Sequence, residues 1–132
     1  MSFEFALVGF ALVTMTALTI EIAYAYISQG FGYGFSSNRP LVERGPLGLR
    51  IQRAYQNQVE SAAYIVPVLA GATFLGVTGE GPALAAAIIV IGRAAFVLLY
   101  YTGIPFIRIL GFTCGSLGSL YLAFQCIFAV AA

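Results

Sequence analysis

Four times in 132 residues the chain runs for a span's length with hardly a charged side chain: Phe3 to Ile27, Arg53 to Val77, Pro82 to Tyr101 and Phe106 to Ala132. Each covers about 20 residues or more, and at about 1.5 Å of rise per residue a helix of that length crosses a hydrocarbon core of about 30 Å. Composition leaves little alternative. Hydrophobic residues make up 61% and charged ones 8%, against roughly 25% charged in soluble domains, so polar groups are too few to cover a water-soluble globule. The expected fold is all-α: one domain over residues 1–132, a bundle of four transmembrane helices at about 3–28, 50–77, 82–102 and 106–131. The first segment has no basic n-region and exceeds an h-region in length, so it reads as a retained helix rather than a secretory signal.

The connections agree. The long one, Gln29 to Leu49, is rich in Gly, Ser and Pro. Thr78-Gly79-Glu80-Gly81-Pro82 puts a proline where a helix can begin, and Gly103 with Pro105 marks the last turn. Arg39, Arg44 and Arg50 lie in or beside the long connection and Arg108 follows the third, whereas the termini and the second connection carry no Arg. The positive-inside rule then puts both termini outside and the first and third connections in the cytoplasm, with a bacterial inner membrane preferred for such compact loops.

An ionisable group at a helix centre costs about 2.5–3.5 kcal/mol on insertion scales, so it usually faces a partner or a wet cavity. Counted along the rise, Glu21 and Glu60 each lie about 10 Å inside their helices and Arg93 about 12 Å, all from the same side. Arg108 opens the fourth helix at that side. At about 100° per residue with Arg53 as zero, Arg50 falls near 60°, Asn57 near 40°, Tyr64 near 20° and Glu60 near −20°. These five form one polar stripe, read as ligand-binding. Tyr100 is seven residues from Arg93 and shares its face; Thr14, Glu21 and Ser28 align in the same way on the first helix. Such stripes are expected to face one another or a neighbouring subunit rather than lipid. Glu21 reads more simply as half of a structural ion pair.

Other features point to packing or exclude chemistry. Gly111, Gly115, Gly118 and Ser119, including a G-x-x-x-G spacing, read as a close-packing face. Cys114 and Cys126 lie about 18 Å apart by rise and cannot bridge. With no His and no Asp, ligands for a metal site are missing. No Ser-His-Asp set or phosphate-binding Gly loop is present. A net charge of +1 without a basic run argues against nucleic acid.

The string Arg53-Ala54-Tyr55-Gln56-Asn57-Gln58-Val59-Glu60 resembles the R-A-x-x-N-x-x-E signature of the MAPEG family, the membrane-associated proteins of eicosanoid and glutathione metabolism that include the microsomal glutathione transferases. The resemblance extends through Gly92-Arg93 to Tyr100, a short turn and Arg108. It implies a homotrimer with glutathione as co-substrate, bound between subunits in the cytoplasmic half of the bilayer. Arg53, Asn57, Glu60, Arg93 and Tyr100 would hold the tripeptide, and Arg108 would sit by its sulfur as the catalytic group. The arginines suit its carboxylates, Glu60 its ammonium, and Asn57 its amides. The implied activity is that of a transferase or peroxidase acting on lipophilic electrophiles or lipid hydroperoxides, with membrane lipid as surroundings. Two positions depart from the pattern. Gln56 stands where some members carry a further Arg, and Ile109 where some carry a Ser. A second class therefore stays open: a non-catalytic membrane subunit that binds a ligand or a larger membrane complex.

Overall fold

A computed structural model describes residues 1–131; the end of the last apolar segment at Ala132 lies outside them. The described chain is helical throughout its ordered elements. Helix α1 spans Phe3–Gln29, α2 Phe31–Phe35, α3 Pro46–Phe74, α4 Glu80–Thr102 and α5 Ile107–Ala131. The boundaries follow local chemistry. The Ser2 hydroxyl caps α1 by accepting from the Phe5 N–H at 3.3 Å. Helix α3 begins at Pro46, four residues ahead of the sequence expectation, because a proline in the first turn loses no hydrogen bond there. It stops at Phe74 rather than Val77. Gly76 takes φ +62°, its N–H donates to the Thr73 carbonyl, and the Val77 N–H donates to that of Ala72. That pair of bonds is a Schellman stop, and only glycine enters its left-handed position without strain.

The short α2 was not anticipated. Its sequence, Phe-Gly-Tyr-Gly-Phe, has poor intrinsic helicity. Aromatic packing holds it: Tyr26 on α1 lies 5.4 Å from both the Phe31 and Phe35 rings, and Gly34 fits against Tyr26 where a Cβ would collide.

The four long helices run up and down. Helix α1 packs on α3 and α4, and α5 packs on α4 and α3, whereas α1 and α5 do not meet. The pair α3 and α4 thus forms the centre. Helices α4 and α5 approach most closely, along Gly92, Gly111, Gly115 and Gly118, as the small-residue spacing suggested. A Cβ on Gly92 would lie 3.0 Å from the Gly111 carbonyl oxygen, and one on Gly118 3.0 Å from Ile89.

The interior is layered. One apolar cluster joins Phe3, Ala6 and Phe10 of α1 to Ile65, Leu69 and Ala72 of α3, with Ala86, Ile89 and Leu122. A second holds Ala17, Phe96 and Val97, flanked by Tyr55, Tyr100 and Tyr101. Between them lies a polar layer of Thr14, Gln58 and Arg93. The outside is apolar, with Phe5, Leu12, Met15, Ile91, Leu98 and Phe124 all exposed. In water such a surface would aggregate; in lipid it is the favoured one. Helices α1, α4 and α5 are long and apolar enough to cross a membrane. Helix α3 is longer than any of them but carries Arg50, Arg53 and Glu60.

Candidate functional site

Arg93 occupies the middle of the bundle and is fully buried. Its side chain fits because α5 has no Cβ at Gly115; a methyl there would come within 2.8 Å of the Arg93 Cδ. The guanidinium spends its donors on α3. Nε donates to the Gln58 Oε1 at 3.0 Å. Nη2 donates to both the Asn57 carbonyl, at 3.2 Å, and the Asn57 Oδ1, at 2.9 Å. The group also lies 4.5 Å above the Phe96 ring, a favourable placement for a cation. Nη1 is buried without a partner. No carboxylate pairs with Arg93 among the described residues, where the one ion pair is Arg44–Glu21.

These bonds orient their partners. A guanidinium can only donate, so the Asn57 amide must turn its oxygen to Arg93, leaving the Nδ2 hydrogens as its free end. Gln58 is fixed likewise: its oxygen faces Arg93, and its Nε2 donates to the Thr14 Oγ1 at 3.1 Å. The Thr14 hydroxyl in turn donates to the Phe10 carbonyl at 2.9 Å. One chain of hydrogen bonds therefore runs from α1 through α3 to α4.

Asn57 opens onto a cavity of about 240 Å³ that it lines together with Phe96, Tyr100, Arg108, Ile109 and Phe112. The Arg108 guanidinium carbon lies 4.3 Å from the centre of the Tyr100 ring. Arg108 is brought there by a tight reversal after α4: Gly103 and then Phe106 take positive φ, of 73° and 68°. For an aromatic residue this is a strained conformation, and the strain sits two residues before Arg108. The wall combines a cation, a phenol and an outward amide with three apolar side chains. No carboxylate belongs to it.

The other expected site residues lie elsewhere in the single chain. Glu60 lines a second cavity, of about 350 Å³, with Glu21, Gln52, Tyr55, Gln56 and Val59; its Oε1 accepts from the Gln56 Nε2 at 3.1 Å. Arg50 donates from Nε to the Tyr101 carbonyl at 3.2 Å, and its guanidinium lies against Gly103. It thus caps the negative end of α4. Arg53 and Tyr64 are exposed on the outer face of α3. Of the eight residues singled out, the structure brings Asn57, Tyr100 and Arg108 to one cavity with Arg93 behind Asn57, and leaves Arg50, Arg53, Glu60 and Tyr64 outside it.

On α1 the aligned polar residues have separate partners. Thr14 belongs to the Arg93 network. Glu21 accepts from the Arg44 Nη1 at 2.6 Å, so the long connection is strapped to α1 by an ion pair. Ser28 donates to the Tyr24 carbonyl at 2.7 Å. The residue that sequence reasoning missed is Gln58. It lies outside the polar stripe, centred on the buried face that also carries Ile51, Ala54, Ser61 and Ile65. A lone amide in the middle of an apolar face was the signal available.

The sequence profile of the MAPEG family matches residues 5–128. The chain belongs to the MAPEG family. No curated protein matches it. As a MAPEG protein with three helices apolar enough to cross, it is an integral membrane protein. The match takes in every residue that lines the Asn57–Arg108 cavity and every member of the network behind it.

Proposed function

We propose that this MAPEG protein is a glutathione-dependent transferase or peroxidase that acts on lipophilic electrophiles or lipid hydroperoxides. The observation that carries the reading is the cavity of Asn57, Tyr100 and Arg108, whose polar groups offer donors and positive charge against an aromatic wall. Such a cavity suits an anionic, polarisable group such as a thiolate better than an amine or a metal ion. In this reading all four long helices cross the bilayer and three protomers associate. The exposed stripe of Arg53, Glu60 and Tyr64 on α3 then meets a neighbour instead of lipid. The cost of leaving charges in hydrocarbon supports that arrangement. So does the chemistry of the tripeptide, whose carboxylates match Arg53 and whose ammonium matches Glu60. Both termini lie on the non-cytoplasmic side in this assembly, and glutathione binds in the cytoplasmic half, where the arginines collect.

The residues divide the work. Arg53 and Glu60 bind the ends of the peptide. Asn57, its oxygen engaged, donates to a peptide carbonyl. Arg108 and the Tyr100 hydroxyl lie by the sulfur and favour its ionised form. With an aryl chloride, the thiolate forms a carbon–sulfur bond and chloride leaves. With a hydroperoxide, the sulfur attacks the outer oxygen and an alcohol departs; a second glutathione then yields the disulfide and water. The substrate arrives from lipid, along the exposed Ile109 and Phe112 side of the cavity.

A second reading is favoured by one observation. Ile109 lines the cavity beside Arg108, and Tyr100 supplies the one hydroxyl in the wall. A protein that binds a ligand or a larger membrane complex without turnover would keep this architecture. Glutathione titration of the purified protein in detergent distinguishes the two, followed by thiolate absorbance and by turnover of a chlorinated nitroaromatic and a lipid hydroperoxide. Binding with thiolate formation and turnover is expected. Arg53→Ala and Glu60→Ala should weaken affinity, and Arg108→Ala should chiefly lower turnover. An intact protein that binds glutathione without forming thiolate or product would establish the second reading.

A further inference from the structure

Arg93 poses an electrostatic problem that the fold leaves unsolved. Its guanidinium is fully buried, one of its nitrogens has no partner, and no carboxylate among the described residues pairs with it. Thr14 faces the network from α1, Asn57 and Gln58 from α3 with the Tyr64 phenol within electrostatic reach, Phe96 from α4 and Gly115 from α5. A buried cation ordinarily takes a carboxylate as its acceptor. The position that could supply one is Gln58, whose Oε1 lies 3.0 Å from the Arg93 Nε. A Glu there would have the same reach and a full counter-charge. The sequence instead holds an amide, which accepts the hydrogen bond and leaves the charge intact. On the far side of Asn57 lies the donor-lined cavity, also without a carboxylate.

We propose that Gln58 is a positioning residue that keeps the Arg93 charge uncompensated, so that the anion in the Asn57–Arg108 cavity serves as its counter-ion. The inference rests on the thiol reading above and deepens it: the anion is the thiolate of bound glutathione. Arg93 acts on it through Asn57. The guanidinium fixes the Asn57 oxygen, so the amide hydrogens remain for the ligand, and its field adds to that of Arg108 across a low-dielectric layer. Stability is given up for this. An unpaired buried charge weakens the ligand-free protein, and the occupied site relieves it.

Gln58→Glu and Gln58→Met test this in the full-length protein in detergent. Two readouts are followed: the melting temperature without ligand, and the pH titration of thiolate absorbance with glutathione bound. Gln58→Glu should melt several degrees above wild type, while the apparent pKa of the bound thiol rises by about one unit or more as the cation is neutralised. Gln58→Met, which removes the acceptor and adds no charge, should melt below wild type. A Gln58→Glu protein that binds glutathione with the wild-type thiolate titration overturns the inference and leaves the functional reading standing. If wild type binds no glutathione, the functional reading fails, and the melting temperatures still bear on the buried charge. Gln58→Glu melting at or below wild type would then overturn the uncompensated cation itself.

Discussion

Replacing Gly111 by Ala is the sharpest test of how the bundle is held together. The added Cβ would lie 2.6 Å from the Phe96 backbone nitrogen, 2.7 Å from the Gly92 carbonyl oxygen and 2.9 Å from the Phe96 Cα, all well inside the 3.4 Å at which ordinary contact begins. Each of those atoms is backbone, so no rotamer change relieves the collision and α4 and α5 must separate. Overpacking of this kind costs about 1–3 kcal/mol, and the immobile neighbours put this case at the upper end. Alanine returns about 1 kcal/mol in helix propensity. The balance is a loss of about 2 kcal/mol. Unfolding in mixed micelles with rising dodecyl sulfate, followed by far-ultraviolet circular dichroism, measures it. If Gly111→Ala unfolds at the wild-type detergent fraction or above, the close approach of α4 and α5 is not what the glycines provide.

Gly71→Ala is the matched contrast, because the nearest atom to its Cβ is the Cys126 Sγ at 3.9 Å; the same assay should show a gain of about 0.5–1 kcal/mol from propensity alone. Arg44→Ala should cost about 2 kcal/mol, since the Glu21 Oε2 already lacks a partner and the carboxylate would lose its remaining one. The double variant with Glu21→Gln should recover most of that loss; full additivity of the two would show that the pair contributes nothing as a pair.

The helices were legible in the sequence because lipid imposes so simple a demand: long runs free of charge. The glycine spacing on α5 was legible for a similar reason, since only close backbone approach repays so many missing side chains. Partner choice was harder to read. Helical phase put Asn57 in one stripe with Arg53 and Glu60, but phase describes a single helix and says nothing of how its faces are shared out. In the structure the stripe lies along the edge of the α3 interface. Asn57 turns inward to Arg93, while Glu60 and Arg53 turn out. Arg50 was read as a ligand group because its charge and phase fitted; the C-terminus of α4, with its unpaired carbonyls, comes to it only through the fold. Arg44 reaches Glu21 across 23 positions of chain, a distance no local pattern encodes. The neutral Gln58 has no charge to mark it in the sequence, although it holds the most deeply buried one.

The glycine seam also decides which parts of the cavity can move. Tyr100 rides on α4 and Arg108 on α5, and at Gly111 these two helices meet backbone to backbone, with the Arg93 and Ile89 side chains filling the space beside Gly115 and Gly118. Asn57 alone belongs to α3. Widening of the cavity for a bulky ligand is therefore expected to come from a shift of α3 rather than from separation of α4 and α5. The bonds from Arg93 to Asn57 and Gln58 are the ones that such a displacement would load first.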